Sequence, residues 1–479
     1  MKKRFTFISL FIMYSIMNIH AQNNNYTSYR NQMLDNFQRY RKNIIQNYAD
    51  FLNDVWLRYD TFKGIKRDRT PKPSIVPSVE DNPICSNPTE IPTPEVHPFI
   101  PIVPQLSNPS VPTMPMIEDN INFIFYSMEL EVPKISFKRL DSRENKDIAK
   151  VWKEYQQSNT NTIIPRLQKI AKTNGLNDWF TFQMIRQYVD TIANTGNEVE
   201  RIILQHFLLV NMGFDVRLAK TETQMLLLVP FKQQVYERSY INLDDKKYYI
   251  FCDNTEIVKE LKNIYTCSFP EDAWCGRFLD LKYNCQNKIE KGEYKKRELT
   301  DGCLVLNGSV NIILMEMLRH YPQMDVSEYA RSTVDEKLRK SILSQLRPQI
   351  QTLSQKEAAN QLIHFVQYAF DYATDGEQHG YEKAYFLEEN FYYPKNDCED
   401  RAIFYAFLVK NLLGLDVHLV SYPGHECTAV NFTDSNISGD GYFYEGKKYV
   451  ICDPTYIGAK IGMCMPNYKN VKPIVELWY

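Results

Sequence analysis

Cys398, His425 and Asp453 are the residues of this chain best suited to do chemistry together. Cys398 stands in Asn396-Asp397-Cys398-Glu399-Asp400-Arg401, and the run from Glu399 to Leu413 reads as a helix stopped by Gly414. A cysteine at a helix start meets unpaired N–H groups, which favour a thiolate over a thiol. His425 follows the strand Asp416–Val420 and the turn Tyr422-Pro423-Gly424, at the rim of a short apolar strand. A Gly-rich hairpin is expected around Ser438–Gly441, and Asp453 closes the strand Lys448–Cys452, just before Pro454-Thr455. In such a set the imidazole takes the thiol proton, and the carboxylate holds the imidazole through its second N–H. Asp397, Glu399 and Asp400 read as first-turn acids that favour the helix and slightly oppose a thiolate. Taken singly, the three residues are a buried thiol, a turn histidine and a strand-end cap. Their order, each at the rim of an element, is what favours chemistry.

Asp397-Cys398-Glu399-Asp400, Gly424-His425 and Cys452-Asp453-Pro454-Thr455 resemble the three sequence blocks of the transglutaminase-like domains of the papain-like cysteine-enzyme superfamily. The likeness runs from near Gly302 to the C-terminus and is strongest between Tyr368 and Gly462. It implies an α+β fold with a papain-like or transglutaminase-like core, in which the helix carrying the cysteine packs on an antiparallel sheet. It implies Cys398 as nucleophile, His425 as general base and acid, and Asp453 as the orienting carboxylate. The oxyanion donors would be the Cys398 backbone N–H and a second group, with Tyr393 ranked before Tyr392 and Gln378. Asn396 stands where many bacterial members have Gly, and Glu426-Cys427 where many have Ala and an aromatic. The activity implied is thiol-dependent acyl transfer on peptide amides through a thioester, with peptide hydrolysis ahead of glutamine crosslinking or deamidation. Peptides, including the peptide stems of cell wall, are the expected substrates. No zinc pattern and no calcium loop is visible, so neither metal nor other cofactor is expected.

The elements around this core follow in order. Residues 1–21 have a basic start, an apolar run and a small residue before the cut, as a signal peptide does, so the chain is expected to be exported, periplasmic or extracellular. Residues 22–64 carry apolar side chains at three- and four-residue steps, predicting an amphipathic helical arm, one long helix or two shorter ones. Residues 65–120 are rich in Pro and read as a strap or linker. Residues 121–260 read as a degenerate copy of the C-terminal domain, 261–300 as a connector, and 301–479 as the catalytic domain. The duplication rests on Met212-Gly213-Phe214-Asp215-Val216, which parallels Leu413-Gly414-Leu415-Asp416-Val417 at an offset of 201 residues. The same offset sets Asn197 at Cys398 and Gln224 at His425, so the first copy lacks nucleophile and base. Its Cys252-Asp253, aligned with Cys452-Asp453, reads as keeping the aspartate. Helices are expected over 311–318, 326–346 and 358–372, with an irregular loop from Asp371 to Pro394 beside the nucleophile and a last strand from Val471.

The composition, 44% hydrophobic and 24% charged with a formal net charge of −2, is that of a globular protein and gives no case for nucleic acid or an anionic membrane. No stretch reaches the length of a membrane span. Ten cysteines in an exported chain permit disulfides; Cys427 and Cys452 are expected as buried thiols or as a pair. A second function fits the degraded first copy: a non-catalytic peptide- or glycan-binding or scaffold protein that keeps a triad-like motif.

Overall fold

Capping and glycine stops set the helices. Asn197 opens the helix Glu198–Asn211 and Ser354 opens Gln355–Tyr368, each through a capping box with the glutamate three residues on. Gly213 and Gly414 follow two such helices with φ of 96° and 68°, a left-handed geometry that favours glycine. The computed structural model describes residues 119–476, apart from 194–195, 222–223, 237, 244, 253–262, 267–275, 285–288 and 290–291. Before residue 119 it describes positions 32 and 39 and three short strands.

Those strands are β1 (Leu57–Asp60), β2 (Ile65–Arg67) and β3 (Glu95–His97). A hairpin, β4 (Asn120–Phe125) and β5 (Met128–Pro133), comes next, and then four helices, Asn145–Gln156, Thr160–Thr173, Asp178–Ile192 and Glu198–Asn211. β6 (Arg217–Lys220), β7 (Met225–Val229), β8 (Ser239–Leu243), β9 (Lys246–Phe251) and β10 (Asn263–Thr266) build a first antiparallel sheet, in the order β1-β10-β6-β7-β9-β8-β2. A second hairpin, β11 (Tyr294–Thr300) with β12 (Val305–Asn311), leads to helices Ile312–Arg319, Val326–Ala330, Glu336–Ile350 and Gln355–Tyr368. The short parallel pair β13 (Asp371–Tyr372) and β14 (Lys395–Asn396) delivers the chain to helix Cys398–Leu408. β15 (Asp416–Tyr422), β16 (His425–Asn431), β17 (Gly441–Tyr444), β18 (Lys447–Cys452) and β19 (Ile474–Glu476) form the second sheet, in the order β17-β18-β16-β15-β19-β3. The class is mixed helix and sheet, built around two curled antiparallel sheets, as α+β requires. No helix among the described residues is long and apolar enough to cross a membrane.

The two sheets share a register. Shifting Arg217↔Leu228, Leu227↔Phe251 and Tyr240↔Tyr249 by 201 residues gives His418↔Ala429, Thr428↔Cys452 and Gly441↔Val450, which are the pairs of the second sheet. Their outer faces correspond too: Ala219, Leu226, Leu228, Ile241, Tyr248 and Ile250 become Val420, Cys427, Ala429, Tyr442, Tyr449 and Ile451. The inner faces pack with the helices into one core that runs from Phe123 to Ile461.

Several expectations change. Leu57–Asp60 pairs with β10, so the helical arm over 22–64 does not reach its predicted end; backbone pairing at a sheet edge wins over helical spacing there. The rest of that arm, apart from positions 32 and 39, lies outside the described residues, as does the signal segment 1–21. Within 65–120, β2 and β3 occupy sheet edges, where a Pro-rich chain is tolerated, and β3 runs parallel to β19. The tight hairpin turn falls at Glu445-Gly446, with positive φ at both, and not at Ser438–Gly441. The shared register also moves the degenerate copy's aspartate. Cys252 takes the place of Asp453, and Asp253 falls one residue beyond it, outside the described residues.

Gly439 belongs instead to a backbone crossing that fixes the end of β18. Asp440 N–H donates to Gly462 O (2.9 Å), Ile451 N–H to Asp440 O (2.9 Å), and Gly462 N–H to Ile451 O (2.7 Å). A Cβ on Gly439 would lie 2.2 Å from Gly462 Cα. Gly439→Ala is therefore expected to lower unfolding free energy by at least ~2 kcal/mol. Gly376→Ala, with open space around it, should stay within about 0.5 kcal/mol. Chemical denaturation of both variants checks this.

Candidate active site

Helix Cys398–Leu408 sets the nucleophile. It continues as a wide turn over Val409–Leu413 and is buried along its length between the sheet and helix Gln355–Tyr368. Arg401 locks its first turn from within: Nε donates to Asn396 Oδ1 (2.9 Å) and Nη2 to Phe370 O (2.9 Å). Burial lowers the Arg401 pKa to about 10, so it still carries charge at neutral pH.

The β16–β18 ladder carries the other two groups to the same end of the sheet. His425 Nε2 lies 2.7 Å from Asp453 Oδ2. Asp453 Oδ1 accepts the Thr455 and Tyr456 N–H groups (2.9 and 3.1 Å), so the carboxylate is fixed on both oxygens. With Nε2–H given to Asp453, the lone pair of a neutral His425 ring is on Nδ1, which is buried and has no hydrogen-bond partner. Cys398 Sγ sits beside the strand start, accepting the Glu426 N–H at 3.3 Å and donating to Glu399 Oε2 at 3.1 Å. His425 and Asp453 are thus in contact, and Cys398 lies at the start of the same strand.

Tyr393, the first candidate for the second oxyanion donor, lies in an aromatic cluster with ring centroids 4.8 Å from His379 and 5.1 Å from Tyr385. Tyr392 packs beside it under the Lys295 ammonium, and Gln378 exchanges hydrogen bonds with the backbone of Lys395 (3.1 Å each way). All three line the chain that enters the nucleophile helix.

The first-turn acids behave differently from the solvated charges expected of them. Asp397, Glu399 and Asp400 are at most 3% exposed, and Asp375 from the preceding loop joins them. Burial, then their mutual repulsion, holds all four carboxyls well above the ordinary range, with Asp375 raised to about 9. Asp400 accepts the Tyr385 N–H (2.8 Å), and Asp397 and Glu399 lie side by side as interacting carboxyls. With their pKa values raised, these groups oppose a thiolate at Cys398 less than ionised first-turn acids would.

Two residues at the site were not foreseen. Gln367 is buried and its Nε2 donates to Tyr456 O (2.9 Å), Ala459 O (3.0 Å) and Asp453 O (3.3 Å), while Oε1 accepts the Gly458 N–H (3.2 Å). It holds the loop that presents Asp453. A lone amide among Leu362, Phe365 and Val366 on a buried helix face was a signal in the sequence. Tyr468 stacks on His425 (5.3 Å, 9° between planes) and on Tyr422 (4.8 Å, 21°), covering the imidazole. Nothing in the sequence near Tyr468 announced this. Cys427 and Cys452 are separate free thiols; burial pushes Cys427 well up and Cys452 to about 12. No disulfide joins any two of the six described cysteines.

Comparison of the chain with protein-family models, with curated proteins and with solved structures found no match.

The buried carboxyls make stability depend on pH. Unfolded, they ionise near pH 4; folded, each carboxyl is held above that, Asp375 to about 9, so the folded state binds more protons over a window that opens near pH 4. Stability should fall as pH rises through that window. Asp397→Asn should flatten the slope by up to about 1.4 kcal/mol per pH unit. Denaturant midpoints of both proteins across the window test it, and parallel slopes would refute it.

Proposed function

We propose that the chain is a thiol-dependent acyl-transfer enzyme on peptide amides, acting most simply as a peptide hydrolase. The observation that carries this reading is the His425 Nε2–Asp453 Oδ2 contact of 2.7 Å, with a free Nδ1 at the strand start where Cys398 Sγ rests. Cys398 gives its proton to His425 Nδ1 and attacks the amide carbonyl as thiolate. The imidazolium protonates the leaving amine, and a thioester remains. Water then loses a proton to His425 and attacks the thioester, releasing the acid and restoring the thiol. An amine in place of water would give crosslinking; no residue at the site marks an acceptor for it. The Cys398 N–H at the helix start and a second donor, for which Tyr393 is our candidate, would carry the oxyanion. The papain-like or transglutaminase-like core, the duplication with a degenerate first copy, export by residues 1–21 and a peptide or cell-wall peptide substrate all belong to this proposal. The shared register of the two sheets supports the duplication.

A second reading, a non-catalytic peptide- or glycan-binding or scaffold protein, is favoured by one observation. Cys398 and His425 are 1% and 3% exposed and Tyr468 lies on the ring, so the site as seen admits no peptide. The enzyme reading requires that cover to move.

The pH profile of Cys398 alkylation separates the two. An activated pair should give a rate plateau that persists below pH 7, at least ~10-fold above an ordinary thiol there, and lost in His425→Ala. Tyr468→Ala should raise the rate without moving the profile. An ordinary thiol profile near pH 8–9 in both wild type and His425→Ala would transfer the proposal to the binding role.

A further inference from the structure

One side chain at this centre has no part in the chemistry above. Cys427 lies on the same face of β16 as His425, two residues on, and next to Thr428, which pairs with Cys452, the residue before Asp453. A ring nitrogen of His425, Cys427 Sγ and a carboxylate oxygen of Asp453 all lie within 4.8 Å of one another, and all three residues are buried. Packing does not call for a thiol there: the matching position of the first sheet is Leu226, with Gln224 and Cys252 at the places of His425 and Asp453. Cys464 stands at the edge of the group, its Sγ 3.9 Å from the Tyr422 hydroxyl and close enough to feel both Cys427 and Asp453.

We propose that His425, Cys427 and Asp453 form a binding site for a thiophilic divalent cation of the zinc class, which takes the imidazole and carboxylate out of the triad when bound. Nitrogen, sulfur and oxygen donors together suit zinc and exclude calcium or magnesium, which take all-oxygen shells. Tetrahedral zinc holds its ligands roughly 3.3–3.8 Å apart, so the thiol draws in while the 2.7 Å His425–Asp453 contact opens. Asp453 is already oriented through its other oxygen by Thr455 and Tyr456, as an outer shell orients a metal ligand. Cys464 or a water completes the shell. On binding, the Cys427 thiol proton leaves to solvent, the Nε2 proton of His425 moves to Nδ1, and the metal takes the place of the His425–Asp453 hydrogen bond. Cys398 is not a ligand, which distinguishes this site from capture of a metal by the nucleophile. The binding stands without the enzyme reading; only its inhibitory consequence rests on that reading.

The test uses the full chain, reduced, with Co2+ as the spectroscopic stand-in and Zn2+ as competitor. Wild type and Cys398→Ala should both show tetrahedral cobalt bands with thiolate-to-cobalt charge transfer, bleached by Zn2+. Cys427→Ala and the volume-matched Cys427→Val should lose the charge-transfer band and bind at least ~100-fold more weakly, more than loss of an outer-shell partner costs. Zn2+ should slow Cys398 alkylation in wild type, reversibly with a chelator, and leave it unchanged in Cys427→Ala. No cobalt binding, a band that survives in both Cys427 variants, or a band lost in Cys398→Ala would each overturn the proposal. Should Cys398 prove an ordinary thiol, the cobalt spectra alone still decide the site.

Discussion

The register between β16 and β18 is the constraint on which the site depends. Thr428 faces Cys452 across that ladder, so His425 and Asp453 come out on one face at one end, close enough for a 2.7 Å contact. Side chains alternate along a strand, and a slip of one residue would send Asp453 into the helix side of the sheet and Cys452 into its place. The slip is opposed by the hydrophobic sorting of both faces. Cys452 and Val430 belong to the core under the helices, whereas Cys427, Ala429 and Ile451 belong to the outer cluster. The crossing of Asp440 with Gly462 and Ile451 adds a backbone lock at the same strand end. The triad geometry is thus a consequence of where apolar side chains must go.

The nucleophile's own setting rests on a different balance. A helix start is short of hydrogen-bond acceptors and long on donors, and acids there ordinarily settle the account by capping in water. Here the acids are inside the protein, and burial decides their charge before the helix does. Lys383 lies near Asp375, but its Nζ is already 2.7 Å from Glu389, and Arg401 lies near Asp397 and Asp400. Burial outweighs both cations and raises all four carboxyls, and one of them, Glu399, accepts a hydrogen bond from the Cys398 thiol. The thiol therefore sits between a backbone donor and a carboxyl acceptor, a stable resting arrangement that a base must break. His425, at the start of the strand whose Glu426 N–H the thiol accepts, keeps a buried Nδ1 without a hydrogen-bond partner.

How much of this the sequence announced depended on range. Local signals were sound: Gly414 stops its helix, Asp416–Tyr422 is a strand, and Cys398, His425 and Asp453 each stand at an element's rim. The 201-residue offset is also a register and not merely a likeness of letters, for the β6–β7, β7–β9 and β8–β9 ladders of the first sheet map onto β15–β16, β16–β18 and β17–β18 of the second. Placing Asp253 at the aspartate was an error of one residue, because the Cys-Asp pair matched by identity while the strands match by pairing. Long-range packing was not legible. Tyr468 reaches His425 through a loop with no period, and burial of the first-turn acids depends on the loop before β14 folding over them. Nor could spacing join Cys427 to Asp453, since metal patterns in sequence assume ligands on one turn or knuckle, and a ladder brings together residues 26 apart.

The first sheet shows what the fold needs when chemistry is taken away. Arg217 over Tyr248 (4.5 Å) stands where His418, its pKa lowered to about 4 by burial, stacks on Tyr449 (3.7 Å), so the contact with the ring is kept while the charge is not. Asn197 caps its helix with a capping box, whereas Cys398 is the first residue of a helix whose N-cap is Asp397. Leu226 fills the place of Cys427 and packs without a polar atom. Each of these is the choice stability alone would make, and at each the second sheet departs from it. Cys398, His425 and Asp453 place a thiol, an imidazole and a carboxylate where Asn197, Gln224 and Cys252 serve the same backbone. The contrast between two sheets of one register sets these buried polar groups apart from the apolar scaffold that both sheets share.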